Sequence, residues 1–294
     1  MGRTSPRQGH HGRRDAVLVM ASPALSFDQP NHDFVIPMLQ ILEEWQPKIR
    51  LTGNHRYQVL SGEKWVYKPG TTTIIKAAGL GSENLIGWAA KVQRKADLDL
   101  LDECEWDQLA FRSKCGKPDA HTKIRDAAAD AGTEMHTIFE SECKRMMGQQ
   151  IDFPLDMTDE QKRVLDKFRR WAMLNDLQPL GCELRVWHPI LDYCGMLDNL
   201  AILRGSVTII DYKGREERLT KPYDGHIFQS TAYRDATAKL TGVSVDKIAG
   251  EVVTFPRPGA SLDVESFPIK HDPAKVMAGF QACMTLHGLL KEIR

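Results

Sequence analysis

The residues best suited to chemistry lie in one short stretch, residues 195–213, which reads GMLDNLAILRGSVTIIDYK. Because side chains alternate along a strand, Asp211 and Lys213 share one face, and their apolar neighbours predict a strand that is buried on both faces. An ionised carboxylate and an ammonium group are costly in such a strand unless they are paired or used. The stretch therefore predicts either a buried structural ion pair or a reactive centre.

A second acid, Asp198, lies on the preceding predicted strand. If Arg204 and Gly205 form a two-residue hairpin turn, Asp198 and Asp211 lie directly opposite each other, because each is six positions from the turn. Their Cβ atoms are then about 4.5–5.5 Å apart. Two carboxylates at that separation repel, and a divalent cation between them relieves the repulsion. Oxygen ligands of this kind suit Mg²⁺ or Mn²⁺.

The remainder of the chain predicts the elements that position this hairpin. Residues 34–60 carry apolar side chains at helical spacing and predict a helix, whereas the runs at 65–67 and 71–75 predict short strands. Residues 83–131 predict mostly helix. The later predictions are helices over 121–147 and 159–175 (the second with a Thr158–Gln161 capping box), strands at 183–188, 195–203, 206–213, 248–255 and 262–269, and helices from 228 and over 273–292. This order predicts an α/β fold, with a small mixed sheet flanked by helices.

Composition excludes several classes of protein. The 294 residues include 39 Lys and Arg and 39 Asp and Glu, so the formal net charge is zero. This excludes a protein that binds nucleic acid through a large overall positive charge, although a basic cleft is permitted. No apolar run approaches the roughly 20 residues that cross a bilayer. Six cysteines without a CxxC pair argue against a zinc ribbon or a disulfide framework and indicate a reducing compartment.

The chain divides into three predicted regions. Residues 1–33 are rich in Arg, Gly, Pro and Ser and predict a flexible tail. Residues 34–131 predict an N-terminal, mostly helical region. Residues 132–294 hold the acids and the lysine, and predict the core of the protein.

Three motifs in this order resemble the PD-(D/E)xK nuclease superfamily in its RecB-like branch, which includes phage and mitochondrial genome-maintenance exonucleases. They are the Gly195-x-x-Asp198 motif, the Asp211-Tyr212-Lys213 motif and the Gln229-x-x-x-Tyr233 motif. Upstream, the segment GTEMH at 132–136 resembles a helix of that branch in which a histidine joins the metal site. The resemblance covers roughly residues 66–290.

The resemblance implies a restriction-endonuclease-like core with an N-terminal helical region that forms an arch around a single strand. It implies a metal-dependent DNA exonuclease that processes single-stranded ends in replication, recombination or repair. One or two Mg²⁺ or Mn²⁺ ions would be held by two carboxylates, an imidazole and a backbone carbonyl: Asp198, Asp211, His136 and Tyr212. Lys213 would orient or deprotonate the attacking water, and Gln229 and Tyr233 would hold a phosphate and orient that lysine.

Two departures from the family's pattern affect these expectations. Gly214 follows the lysine where threonine or serine is frequent, so a phosphate contact is in doubt. Relatives with an iron–sulfur cluster carry three cysteines near the C-terminus, whereas only Cys283 follows Cys194 here, so no iron–sulfur cluster is expected. The expected partners are DNA with single-stranded ends and a recombination or single-strand-binding protein, with no membrane. The expected location is the cytoplasm of a bacterium or phage-infected cell, in preference to the mitochondrial matrix.

Several supporting residues keep a second interpretation. His136 and Glu140 share a helix face, so they form either a metal ligand with its neighbour or a surface pair. Glu183 either approaches the metal through water or is an edge-strand glutamate. Gln229 and Tyr233 either serve the site or merely cap and pack their helix.

The connection at 214–228 is polar and long. It either contacts DNA through Arg215, Arg218, Lys221 and Tyr223 or is a solvated charged loop. Two rival functions remain beside the exonuclease. One is a catalytically idle nucleic-acid-binding module, and the other is a structural subunit of a recombination complex.

Overall fold

The computed structural model describes residues 33–54, 56–80, 85–116, 119–154, 156–257 and 259–293. The predicted tail at 1–33 lies outside the described residues apart from its last position. The described helices are α1 (Val35–Trp45), α2 (Thr71–Ala77), α3 (Leu85–Glu103), α4 (Gln108–Lys114), α5 (Ala120–Met146), α6 (Asp159–Leu174), α7 (Asp224–Thr241) and α8 (Pro273–Ile293). None of them is long and apolar enough to cross a bilayer.

The described strands form two sheets. A small antiparallel sheet has the order β1-β2-β3, with β1 at Ile49–Leu51, β2 at Tyr57–Ser61 and β3 at Lys64–Lys68. The main sheet has the order β4-β5-β6-β7-β8, made of β4 (Gln178–Trp187), β5 (Cys194–Leu203), β6 (Ser206–Arg215), β7 (Ala249–Pro256) and β8 (Glu265–Pro268). Only the β6–β7 pair is parallel, and α7 supplies the crossover that such a pair requires. The predicted mixed sheet flanked by helices is thus confirmed.

The β5–β6 hairpin has the predicted turn and register. Arg204 and Gly205 both have left-handed backbones, with φ of 51° and 77°, as the tight turn that suits a twisted hairpin requires. Pairing runs from the turn to Asn199 opposite Ile210. Continued by one step, this register would set Asp198 against Asp211, the pair that the sequence predicts.

Two hydrophobic cores cover the two faces of the main sheet. Ile209 of β6 packs in the core formed with α1, α2, α7 and α8, whereas its neighbours Ile210 and Tyr212 pack in the core formed with α5 and α6. In the second core, the rings of Phe139 and Phe168 stack with centroids 4.3 Å apart. Strand β6 is therefore buried on both faces, which fixes the direction of each of its side chains.

Two predicted segments differ from the structure. The helix predicted over 34–60 ends at Trp45, and β1 and β2 occupy its second half. The strand predicted at 71–75 is helix α2, because Ile74 and Ile75 pack into the first core and the Thr71 hydroxyl donates to the Cys194 carbonyl at 3.0 Å. Tertiary burial outweighs the β-propensity of these branched residues. The expected boundary between residues 131 and 132 falls inside α5.

A buried carboxylate joins α5 to α6. The Glu142 side chain is 1% exposed and accepts hydrogen bonds from Arg145 at 2.6 Å and Arg169 at 2.9 Å. Burial raises the pKa of Glu142, but the hydrogen bonds and charges of the two guanidinium groups outweigh it and hold the pKa below its ordinary value of 4.5. This carboxylate therefore stabilises the fold in its ionised form.

Glu142→Gln is expected to lower the free energy of unfolding at pH 7 by about 1–3 kcal/mol, because a charged acceptor of two hydrogen bonds is lost. The folded-state pKa is depressed, so the contribution is present above pH 4.5 and is lost as the pH falls through the folded pKa. Urea unfolding at pH 7 and pH 3 measures both effects. Glu44→Gln is the control, because the Glu44 carboxylate of α1 forms an exposed ion pair with Lys48. This variant should change the free energy of unfolding by less than about 0.5 kcal/mol. An equal loss at both pH values would contradict the ionic explanation.

Candidate functional site

Two carboxylates lie together at the open end of the β5–β6 hairpin. Asp198 Oδ2 accepts a hydrogen bond from the Tyr212 backbone N–H at 2.7 Å. Burial and then the negative charge of Asp211 raise the pKa of Asp198, against the opposing effects of His136, Lys213 and that N–H group. Asp211 is 1% exposed, and its Oδ2 has no hydrogen-bond partner among the described residues. The site therefore holds buried carboxylate oxygen with an unmet demand for a cation or a donor.

Strand β6 and helix α7 supply the groups that hold Asp211. Lys213 Nζ donates to Asp211 Oδ1 at 2.7 Å, and Gln229 Nε2 donates to the same oxygen at 2.9 Å. Gln229 also donates to the Tyr233 hydroxyl at 3.1 Å, one helical turn further along α7. Burial alone lowers the pKa of Lys213, but the charges of Asp211 and Asp198 outweigh it and raise that pKa. The lysine is therefore an ammonium donor in this arrangement.

Helix α5 brings His136 to the same place. Its Nε2 lies 3.0 Å from the Tyr212 carbonyl oxygen, and its Nδ1 lies 3.7 Å from Asp198 Oδ1. Glu140, the alternative partner, forms an ion pair of 2.6 Å with Lys144 instead. The histidine therefore faces the hairpin end and is only 30% exposed.

The donor types around the hairpin end suit a hard divalent cation. Two carboxylates, an imidazole and a peptide carbonyl are ligands that Mg²⁺ or Mn²⁺ accepts. His136 Nε2 and the Tyr212 carbonyl oxygen lie 3.0 Å apart, which is the length of an N–H···O hydrogen bond that a bound ion would replace. Within the described ranges, no three His, Cys, Asp or Glu side chains are gathered closely enough to count as a metal group. The ligand types therefore suit the ion. A bound ion would also give Asp211 Oδ2 the partner that it lacks among the described residues.

Close packing explains the glycine of the Gly-x-x-Asp motif. A Cβ atom added at Gly195 would overlap the Tyr233 ring, so only glycine allows that ring to lie against β5. The Tyr233 ring is buried, and its hydroxyl meets Gln229. The glycine thus permits the contact that places α7 over Asp211.

Glu183 lies opposite Asp198 in the β4–β5 register, between the pairs Cys182–Asn199 and Leu184–Leu197. Its backbone is left-handed, with φ of 52°, which is uncommon for a residue other than glycine. The register therefore places the Glu183 backbone level with Asp198, although no three side chains of the ligand types gather there within the described ranges.

Two site residues had not been predicted. Tyr57 begins β2, and burial is the main cause that raises its pKa well above its ordinary value, with the negative charges of Glu183 and Asp198 adding to the effect. His226 lies in the first turn of α7, where burial and then the charge of Lys213 lower its pKa to about 4. No sequence signal marked Tyr57, because a separate sheet delivers it to the hairpin.

The segment after β6 differs from its predicted use. Strand β6 extends to Arg215, whose side chain is 5% exposed and donates to Glu265 at 2.7 Å and to the Asp263 carbonyl at 3.0 Å. Arg215 is thus held inside the protein and is not presented to DNA, contrary to the prediction. The connection runs over 216–223, and the other three predicted contacts lie on its surface: Arg218, Lys221 and Tyr223.

Comparisons with known proteins assign no family to the chain. No protein-family model matches the chain, and no curated protein matches it. Twelve chains of solved structures match, among them one titled "Crystal structure of SSO0001". That structure is 14% identical over an alignment that covers 53% of this chain and 72% of the other, with a TM-score of 0.26. A likeness at this level supports no statement about fold or function.

Proposed function

We propose that this chain is a metal-dependent deoxyribonuclease of the PD-(D/E)xK superfamily, RecB-like branch, and that it acts as an exonuclease on single-stranded DNA ends. The observation that carries the proposal is convergence at one hairpin end. Asp211 Oδ1 receives both Lys213 and Gln229, and His136 reaches the Tyr212 carbonyl across 76 positions of sequence. Residues from four separate motifs thus meet in one place.

The side chains have distinct tasks in this proposal. Asp198, Asp211 and His136, together with the Tyr212 carbonyl, would hold Mg²⁺ or Mn²⁺. When bound, such an ion would lower the pKa of a water and offset negative charge on the phosphate. Lys213 presents an ammonium group that can donate to a phosphate oxygen as its charge grows. Gln229 donates a hydrogen bond to Asp211 Oδ1, and this contact holds the carboxylate in one orientation with Oδ2 available to the ion.

A catalytically idle nucleic-acid-binding module or a structural subunit is the alternative. Neither role needs two buried carboxylates beside each other, because such a pair costs stability and repels phosphate. Burial and then the charge of Asp211 raise the pKa of Asp198, as expected for two neighbouring carboxylates. The cluster therefore favours an enzyme.

A time course on DNA tests the proposal. Single- and double-stranded DNA labelled at either end is incubated with the protein in Mg²⁺, Mn²⁺ or EDTA. Progressive shortening with either metal, and none in EDTA, is expected. No cleavage under any condition would overturn the enzyme and leave the idle module or the structural subunit. By the same proposal it works with a recombination or single-strand-binding protein in the cytoplasm of a bacterium or phage-infected cell.

His136→Ala is expected to remove most of a preference for Mn²⁺ over Mg²⁺ at low metal concentration. An imidazole ligand suits Mn²⁺, whereas Mg²⁺ prefers oxygen ligands and holds its waters. Cleavage rates across a titration of each metal measure the preference. His121→Ala, at another histidine of α5, is the control and should behave as wild type. If His136→Ala keeps both activity and metal preference, His136 is not a ligand.

A further inference from the structure

The small β1-β2-β3 sheet has one face packed against the protein and one face outward. Ile49 and Val59 of the inner face form a core with Cys194 of β5. Strand alternation puts the next residues on the opposite face, where Arg50 pairs with Gln58 and Gln58 pairs with Tyr67. The same register adds the pair Leu60 and Trp65 to that face. We call these five residues the outer face.

The outer face carries flat side chains that are already ordered. The Arg50 guanidinium lies 4.0 Å from the centroid of the Trp65 ring, and its Nε donates to Gln58 Oε1 at 2.7 Å. Gln58 is only 6% exposed beneath these neighbours, whereas the Tyr67 side chain is 59% exposed. A cation stacked on an indole beside an exposed phenol ring offers planar surfaces whose orientation has been fixed in advance.

The charge of this region is positive. Residues 46–70 contain five Lys or Arg residues and one acidic residue, Glu63, in a chain whose formal net charge is zero. Lys48 and Lys68 form ion pairs with Glu44 and Asp192, so the positive excess rests on Arg50, Arg56 and Lys64. A locally positive surface attracts a polyanion at short range even when the whole chain is neutral. Aromatic rings combined with such charge are the means by which proteins bind single-stranded nucleic acid without sequence preference.

The sheet is fastened to the strand that carries Asp198. The Pro69 carbonyl accepts a hydrogen bond from the Cys194 N–H at 2.9 Å, and Gly70 forms a bridge with Cys194. Asp198 lies four positions further along β5. On the inner face, Tyr57 at the start of β2 packs against the cluster that contains Cys194. The end of β3 that holds Tyr67 is therefore the end next to the candidate site.

We propose that the outer face binds single-stranded nucleic acid that continues beyond the candidate site, with bases stacked on Tyr67, Trp65 and the Arg50 guanidinium. The inference rests on the proposed function, because it takes the strand held here to be the one whose end is cleaved. It adds a contact surface that lies outside the catalytic motifs. A long strand uses both surfaces, whereas a small phosphodiester uses only the catalytic residues.

Two measurements on the full chain test this. The first is the fluorescence anisotropy of a labelled twenty-nucleotide oligothymidylate in EDTA, which prevents cleavage. The second is the hydrolysis of a small nitrophenyl phosphodiester in Mn²⁺. Tyr67→Ala and Trp65→Ala are each expected to weaken binding of the oligonucleotide about five-fold or more, while hydrolysis of the small ester stays unchanged. Tyr67→Phe should keep wild-type affinity because its ring can still stack. Arg163→Ala removes an exposed side chain of α6, outside the outer face, and should also keep wild-type affinity.

Each other outcome counts against the outer face. Wild-type affinity in both alanine variants would overturn the inference, while cleavage of DNA by the same proteins would leave the proposed function standing. An altered size-exclusion mass in the variants would show that the face joins two copies of the chain instead. If the wild type does not bind the oligonucleotide, the proposal that the outer face binds nucleic acid is wrong. If the wild type also does not cleave DNA, the proposed nuclease function is wrong. Circular dichroism checks that the variants fold, and Trp65→Phe serves if Trp65→Ala does not.

Discussion

Lys213→Ala is expected to lower kcat for DNA cleavage by about 10²–10³-fold, the loss expected for one preorganised donor to a developing charge. The Lys213 ammonium is held at 2.7 Å by Asp211 and lies beside the carboxylates without being a metal ligand. Its task belongs to the transition state, so Mn²⁺ affinity and DNA affinity should remain close to wild type. Single-turnover cleavage and calorimetric Mn²⁺ binding measure the two quantities.

The control variants separate charge from packing. Lys213→Arg keeps a cation near Asp211, and partial activity is expected because the guanidinium is larger and less freely placed. Lys162→Ala removes an exposed lysine on α6 and should leave cleavage unchanged. Near-normal cleavage by Lys213→Ala under matched metal would place the catalytic centre elsewhere in the chain.

Asp211→Asn is expected to weaken Mn²⁺ binding by about 100-fold and to stop cleavage at low metal. The substitution removes one of two carboxylate charges and leaves an amide in contact with Lys213 and Gln229. Calorimetry without DNA reports on the ion directly, so this result does not depend on activity. Asp166→Asn, at a side chain 72% exposed on α6, is the control.

Asp211→Asn should also change the pKa of Asp198, and this change favours metal binding. Because the charge of Asp211 raises the pKa of Asp198, its removal should let Asp198 ionise at lower pH. Unchanged Mn²⁺ affinity in Asp211→Asn would mean that the ion, if bound, rests on other ligands. The metal site as described would then be wrong.

The hairpin could be predicted because its determinants are local. Arg204 and Gly205 set the turn, the turn sets the register, and the register places Asp198 beside Asp211. The capping box at Thr158 and Gln161 is local in the same sense, and the structure shows both of its hydrogen bonds.

The parts that could not be predicted depend on distant contacts. Residues 71–75 have strand propensity but form a helix, because Ile74 and Ile75 are buried in a core assembled from several elements. The polar residues around Arg215 predict an exposed loop, yet Arg215 is buried and forms an ion pair with Glu265 of β8. Tyr57 reaches the site only because the β1-β2-β3 sheet is fastened to β5. Pairings of this kind leave no periodic signal in the sequence.

The crossover helix α7 has a consequence for the protein during its synthesis. A ribosome that has released β5 and β6 has already supplied both aspartates and the lysine, but Gln229 and the parallel partner β7 have not yet emerged. In that interval Asp211 lacks its amide donor, and β6 lacks its neighbour on one edge. The candidate site is therefore complete only after α7 has been translated, because Gln229 and Tyr233 follow both aspartates and the lysine in the chain.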